Sequence, residues 1–279
     1  MPAADRPVEL EPIMGMLAGR IPSGRDSLMT GEGEALVQRL AGILAGQEAI
    51  GPEDRRRLWR YLAGPGFDAI PGLATGIVLA LAEDPGWETR ETAAALAGDI
   101  LTEHFEAFYP TVLAFTGSPS ANTRRAAALA VMYASKKRNP AWVSRILDLL
   151  ERLLSDRAEY VRKNLGPFAI GSALLLRHPV ETLECLRRWA QSDDQQVLWN
   201  VAMAFSAAPA KAHVGAALDV LGPLCGHPDR FVWRAAASAL RSLGRRDPGR
   251  VLPALEAWRR LPERAAAAET ALKYLQAAG

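Results

Sequence analysis

An all-α superhelical solenoid is predicted for this chain on three grounds. One motif recurs about every 35 residues, each copy carries a single apolar stripe at helical spacing, and no stretch alternates apolar and polar residues long enough to make a strand. The copies read Trp87-Glu-Thr-Arg-Glu-Thr-Ala, Asn122-Thr-Arg-Arg-Ala-Ala-Ala, Tyr160-Val-Arg-Lys-Asn-Leu-Gly, Gln196-Val-Leu-Trp-Asn-Val-Ala and Phe231-Val-Trp-Arg-Ala-Ala-Ala. With Arg90, Arg124, Arg162, Leu198 and Trp233 as anchors, the spacings are 34, 38, 36 and 35, and a weaker sixth copy follows at Pro262-Glu-Arg. A period of this size marks stacked helical hairpins, because one hairpin cannot bury its apolar face alone.

The elements follow in order. Residues 1–33 hold four prolines and five glycines without an apolar period, and are expected to form a flexible N-terminal arm with a short helix near Ile13–Leu17. Two short helices are predicted over 34–46 and 52–63, the second carrying Asp54-Arg-Arg-Arg-Leu-Trp-Arg-Tyr and ended by Gly64-Pro-Gly. The repeats then run on, so that 34–279 is expected to be a single repeat domain, clearest over 85–260. Around each anchor the apolar positions are −1, +3, +6 and +7: Val161, Leu165, Phe168 and Ala169 in one copy, Val197, Val201, Ala204 and Phe205 in the next. Asp84, Ser118, Asp156, Asp193 and Asp229 precede these helices as turn and cap residues. The partner helices open at Pro140, Pro179 and Pro248, in the first helical turn, where a missing N–H leaves no bond unmade.

Composition sets the outer limits. The chain is 49% hydrophobic and 23% charged with a net charge of +2, the profile of a globular protein with a sizeable core. The charge is unevenly spread: 9 basic against 17 acidic side chains in 1–119, and 24 against 14 in 120–279. An electropositive later half suits either an anionic partner or a solvated arginine-rich surface. No apolar run is long enough to suggest a membrane span, no secretory pattern opens the sequence, and Cys185 and Cys225 sit inside apolar helical patterns; a reducing cytoplasm is the expected location. The four histidines lack paired ligand spacing and no glycine-rich phosphate loop follows a strand, so neither a metal nor a cofactor is expected. Trp59, Trp142, Trp189 and Trp258 fall in apolar stripes and are read as core; Trp87, Trp199 and Trp233 lie at or beside the recurring helix.

Three stretches carry a family resemblance. Asp156-Arg-Ala-Glu-Tyr-Val-Arg-Lys resembles HEAT-like repeats. Tyr160-Val-Arg-Lys-Asn-Leu-Gly-Pro-Phe-Ala and the run from Phe168 to Leu183 resemble segments of the HEAT-like-repeat alkylpurine DNA glycosylases and their DNA alkylation-repair relatives. Trp233-Arg-Ala-Ala-Ala-Ser-Ala-Leu-Arg-Ser-Leu-Gly-Arg-Arg-Asp-Pro resembles the repeat that closes the DNA cradle in one branch. The resemblance implies an α-α superhelix of HEAT-like repeats that binds duplex DNA and excises alkylated purines. It further implies Trp87 and Glu91 as stacking aromatic and catalytic carboxylate, with Arg125 at a DNA-contacting position. Pro167 stands where one branch has a second aromatic and another a glutamate, and Ser242 stands where an aspartate is expected in the other register.

The residues themselves suggest the DNA-facing set. Arg90, Arg124 and Arg162 share one position, which serves either a ladder of contacts to the preceding turn acids or, for Arg124, the DNA. Arg125, Lys163 and Arg234 lie one residue further round and are the stronger candidates for phosphate contacts. Lys136, Lys137 and Arg138 form a basic loop, Arg241, Arg245, Arg246 and Arg250 a second basic group, of which Arg241 and Arg245 are placed on the DNA, and Trp199 a stacking surface. The competing reading is a HEAT-repeat scaffold without catalytic activity that recognises a protein partner.

Overall fold

The computed structural model describes residues 31–48 and 50–276; residues 1–30 of the arm expected over 1–33, with its short helix, lie outside them, and 31–33 are helical. Every regular element among the described residues is helical, and no helix among them is long and apolar enough to cross a membrane. The architecture is all-α and built of repeated helical hairpins, of the α-α HEAT-like type. It forms two compact units that meet in sequence between Ala134 and Ser135.

The first unit holds α1 (Gly31–Ala45), α2 (Pro52–Ala63), α3 (Pro65–Ala69), α4 (Pro71–Ala82), α5 (Trp87–Glu103), α6 (Phe105–Phe115) and α7 (Ala121–Ala134). Helix α1 starts three residues before its predicted start. The recurring helices α5 and α7 lie side by side, with α4 on the other side of α5 and α6 behind both. Small residues let them approach: Ala93, Ala94 and Ala97 of α5 and Ala126, Ala127 and Ala130 of α7 are buried, and a methyl group on Gly98 would lie 2.4 Å from Tyr133 Cβ.

The second unit runs through a 3-10 turn (Ser135–Lys137), α8 (Pro140–Glu151), α9 (Glu159–Asn164), a π-helix (Leu165–Leu174), α10 (Leu175–Arg177), α11 (Pro179–Trp189) and α12 (Gln195–Ala204). A second 3-10 stretch (Ala208–His213) leads to α13 (Val214–Cys225), α14 (Arg230–Arg246), α15 (Pro248–Trp258) and α16 (Pro262–Gln276). The recurring elements again stack in order: the π-helix on α12, α12 on α14, α14 on α16. Helices α8, α11 and α15 open at Pro140, Pro179 and Pro248, as the sequence predicts.

The turns before the recurring helices are closed by side chains. Asp84 Oδ1 accepts from the Gly86 amide at 2.6 Å, Asp156 Oδ1 from Ala158 at 2.9 Å and Asp229 Oδ1 from Phe231 at 2.6 Å. In the fourth copy the cap is Asp194, which accepts from Gln196 at 2.7 Å, one residue beyond the predicted Asp193.

Two other expectations are corrected. Val161, Leu165 and Ala169 are fully buried, but Phe168 is 55% exposed. From Leu165 the chain winds as a wider π-helix, which shifts the phase of the stripe and turns Phe168 outward. Of the four tryptophans read as core, only Trp189 is buried; Trp59, Trp142 and Trp258 are half-buried at the margins of the packing. Cys225 is buried among apolar residues and burial pushes its thiol up to about 12, so it behaves as a small apolar side chain.

Candidate functional site

In the first unit, α5 carries Trp87, Glu91 one turn on, and Asp99 a further eight residues along the helix. Trp87, at the N-terminus of α5, is 63% exposed. One turn on, the Glu91 carboxylate is held at both oxygens. Arg125 Nη2 of α7 donates to Oε2 at 2.6 Å, and the Tyr133 hydroxyl donates to Oε1. Arg125 is 7% exposed, while about a third of the Glu91 side chain remains open. Burial, together with Glu91, raises the Tyr133 phenol to about 12, so it remains a hydrogen-bond donor across the neutral range. Asp99 in turn accepts from Trp59 Nε1 of α2 at 2.8 Å. An exposed indole face thus stands one turn from a carboxylate whose orientation two neighbours fix.

In the second unit, Trp199 of α12 and Phe231 of α14 lie nearly parallel, with ring centroids 6.0 Å apart and planes 15° apart. The Arg162 guanidinium sits over both rings, at 5.2 and 5.4 Å from their centroids. Beside the rings runs an open groove of about 520 Å³ lined by Trp199, Met203, Arg230, Phe231, Arg234, Ala235 and Ser238. Its lining contains two arginines, two aromatic rings and no acid, a combination suited to an anionic ligand with a flat face.

The remaining predicted positions are more dispersed. Arg124 Nη1 donates to the Ser118 and Pro119 carbonyls, both at 2.9 Å, as Arg90 Nη1 does to Asp84 and Pro85, both at 2.7 Å. The shared arginine therefore clamps the preceding turn through backbone carbonyls. Arg162 breaks that pattern by moving onto the aromatic pair. Lys163 is exposed and pairs with Glu159 at 2.7 Å. Lys136, Lys137 and Arg138 are exposed on the turn after α7, with Arg138 in the left-handed region at φ 53°. Behind that turn, Arg177 Nη1 donates to Ser135 Oγ at 2.7 Å. Arg241 lies 5.0 Å over the Tyr274 ring, and Arg245 is exposed at the end of α14.

The sequence model of the family described as "DNA alkylation repair enzyme" matches residues 83–169 and again 168–275, which is most of the chain and includes both of these faces. The chain belongs to the DNA alkylation repair enzyme family. No curated protein matches it. Among solved structures, a designed armadillo repeat protein is 19% identical, with 90% of this chain and 98% of that one covered at a TM-score of 0.32. Computationally designed armadillo repeat proteins for modular peptide recognition give 14% identity, 85% and 99% coverage and a TM-score of 0.28. At these TM-scores the likenesses carry no argument about fold or ligand.

At the first unit's face, three residues escape sequence reasoning. Tyr133 lies two turns beyond Arg125 on α7, so helical periodicity from Arg125 is the signal that finds it. Trp59 and Asp99 lie 40 residues apart, and no local pattern pairs them.

Proposed function

We propose that the chain binds duplex DNA and hydrolyses the N-glycosidic bond of alkylated purines. The observation that carries this reading is the exposed Trp87 one turn from Glu91, whose carboxylate is fixed by Arg125 and Tyr133. An alkylated purine carries positive charge, which the face of an electron-rich indole attracts. As the glycosidic bond breaks, the base takes the bonding electrons and leaves neutral, while positive charge grows on the sugar. A carboxylate already aimed at that position stabilises the charge without reorganising. Water then adds to the sugar carbon and its proton passes to Glu91 or solvent. Arg125, being buried, serves to hold Glu91. The phosphate contacts fall to Lys136, Lys137, Arg138, Lys163, Arg234, Arg241 and Arg245, with Trp199 as a stacking surface.

The test is release of free base from a duplex containing one 7-methylguanine, incubated with the whole protein and resolved by chromatography. The expected products are the free base and an abasic strand. A duplex that is bound but releases no base removes excision from the reading and leaves DNA binding. A second reading, a protein-interaction scaffold, is favoured by one observation: Phe168, Leu176 and Val180 are 55%, 55% and 64% exposed. It requires binding that depends on those apolar side chains and varies little with salt.

A further inference from the structure

Helix α2 turns Pro52, Arg55, Arg56, Trp59 and Arg60 to one side, at the i, i+3, i+4, i+7, i+8 spacing that ordinarily makes a buried stripe. Here those residues line an open groove of about 550 Å³. The adjacent side of the helix supplies the core with Leu58 and Leu62, both fully buried. The groove is a local basic feature in a half of the chain that is acidic overall: Arg55, Arg56, Arg57 and Arg60 stand against Glu53 and Asp54.

Its aromatic wall is fixed. The Trp59 indole is anchored by its N–H on Asp99 of α5, the helix that also carries Glu91 and Trp87. Asp99 stands eight residues, roughly 12 Å, along α5 from Glu91, so this one helix links the groove to the carboxylate site. Its cations can be redirected. Arg56 and Arg60 are 67% and 71% exposed and share one carboxylate, Glu53, at 2.5 and 3.3 Å, and Arg60 Nε also donates to the Arg56 carbonyl at 3.4 Å. Exposed pairs of this kind contribute little and exchange readily for a phosphate. Arg55 is half-buried, with its Nε shielded from solvent and bonded to nothing.

We propose that this groove is a nucleotide subsite for the DNA strand flanking the nucleotide at Glu91. A base stacks on Trp59, and the adjoining phosphates are held by Arg55, Arg56 and Arg60. Charge complementarity selects a phosphodiester, and a fixed indole between arginines selects a base attached to it. The inference rests on the DNA reading given above.

The test compares the whole wild-type protein with Arg56→Ala/Arg60→Ala, Trp59→Leu and a charge-matched control, Arg259→Ala/Arg260→Ala. Each is titrated across a salt series with a labelled duplex and with a single-stranded octamer carrying 2-aminopurine. The arginine pair is expected to lose about tenfold or more in duplex affinity, and the salt slope should shallow by about 1.4 to 1.8, two phosphates' worth. The control should keep the wild-type slope. Trp59→Leu should weaken the quenching of 2-aminopurine seen with wild type. If wild type binds duplex and the arginine pair leaves affinity and slope unchanged, the groove inference is overturned while the DNA reading stands. If wild type binds no DNA, both fall. Displacement of the octamer by an equally charged poly-glutamate peptide, without 2-aminopurine quenching, would assign the groove to an acidic protein partner instead.

Discussion

Replacing Glu91 by Gln is expected to reduce base release from a 7-methylguanine duplex by at least about 10²-fold, on the scale of losing one preorganised electrostatic group, with duplex affinity changed by less than about threefold. Glutamine keeps the shape of the side chain, and its amide oxygen can still accept from Arg125 or Tyr133, so α5 and α7 should stay packed. What disappears is the negative charge facing the sugar. Single-turnover release and anisotropy on the same protein separate the two effects. Tyr133→Phe provides a graded companion: it removes one of the two donors that aim Glu91 and should slow release less than Glu91→Gln. Unchanged release in Glu91→Gln would take Glu91 out of the mechanism.

The second large effect concerns stability. Replacing Gly171 by Ala is expected to lower stability by about 1–3 kcal/mol, the usual cost of overpacking a tight contact. A methyl group there would stand 2.3 Å from the Ala204 carbonyl oxygen and 2.9 Å from Ala207 Cβ, and backbone cannot yield as a flexible side chain can. At roughly 2–4 °C per kcal/mol for a chain of this size, the midpoint of thermal unfolding should fall by several degrees. Gly215→Ala is the control. That glycine is helical and exposed and has no neighbour within 4 Å of an added methyl group, so alanine should raise stability by about 0.5–1 kcal/mol. Equal behaviour of the two variants would contradict the close packing of the π-helix on α12.

Features that depend on local chemistry were legible in the sequence. The sequence sets the recurring arginine on the acids of its preceding turn; Arg90 and Arg124 do reach that turn, but through its backbone carbonyls, five and six residues away. The proline-led helices are equally local. The sequence reads Arg125 as a phosphate contact; the structure buries it on Glu91, 34 residues or one repeat period away on the neighbouring helix. Other features depend on partners the period does not supply. Arg162 leaves its expected turn because two aromatic rings on α12 and α14 offer a better surface. Phe168 faces outward because the stretch containing Pro167 widens into a π-helix, which an α-helical period cannot anticipate. The arginine run of α2 is plain in the sequence, but that Arg55, Arg56 and Arg60 line a groove with Trp59 depends on the Trp59–Asp99 bond, 40 residues apart.

The most direct test of DNA recognition is binding of a labelled duplex, with and without a single 7-methylguanine, across a salt series. Affinity is expected to fall steeply and linearly on logarithmic axes as salt rises, with a slope of several units from several neutralised phosphates. The alkylated duplex should bind more tightly than the undamaged one. No binding at low salt, or binding indifferent to salt and to the lesion, would contradict DNA recognition by this chain.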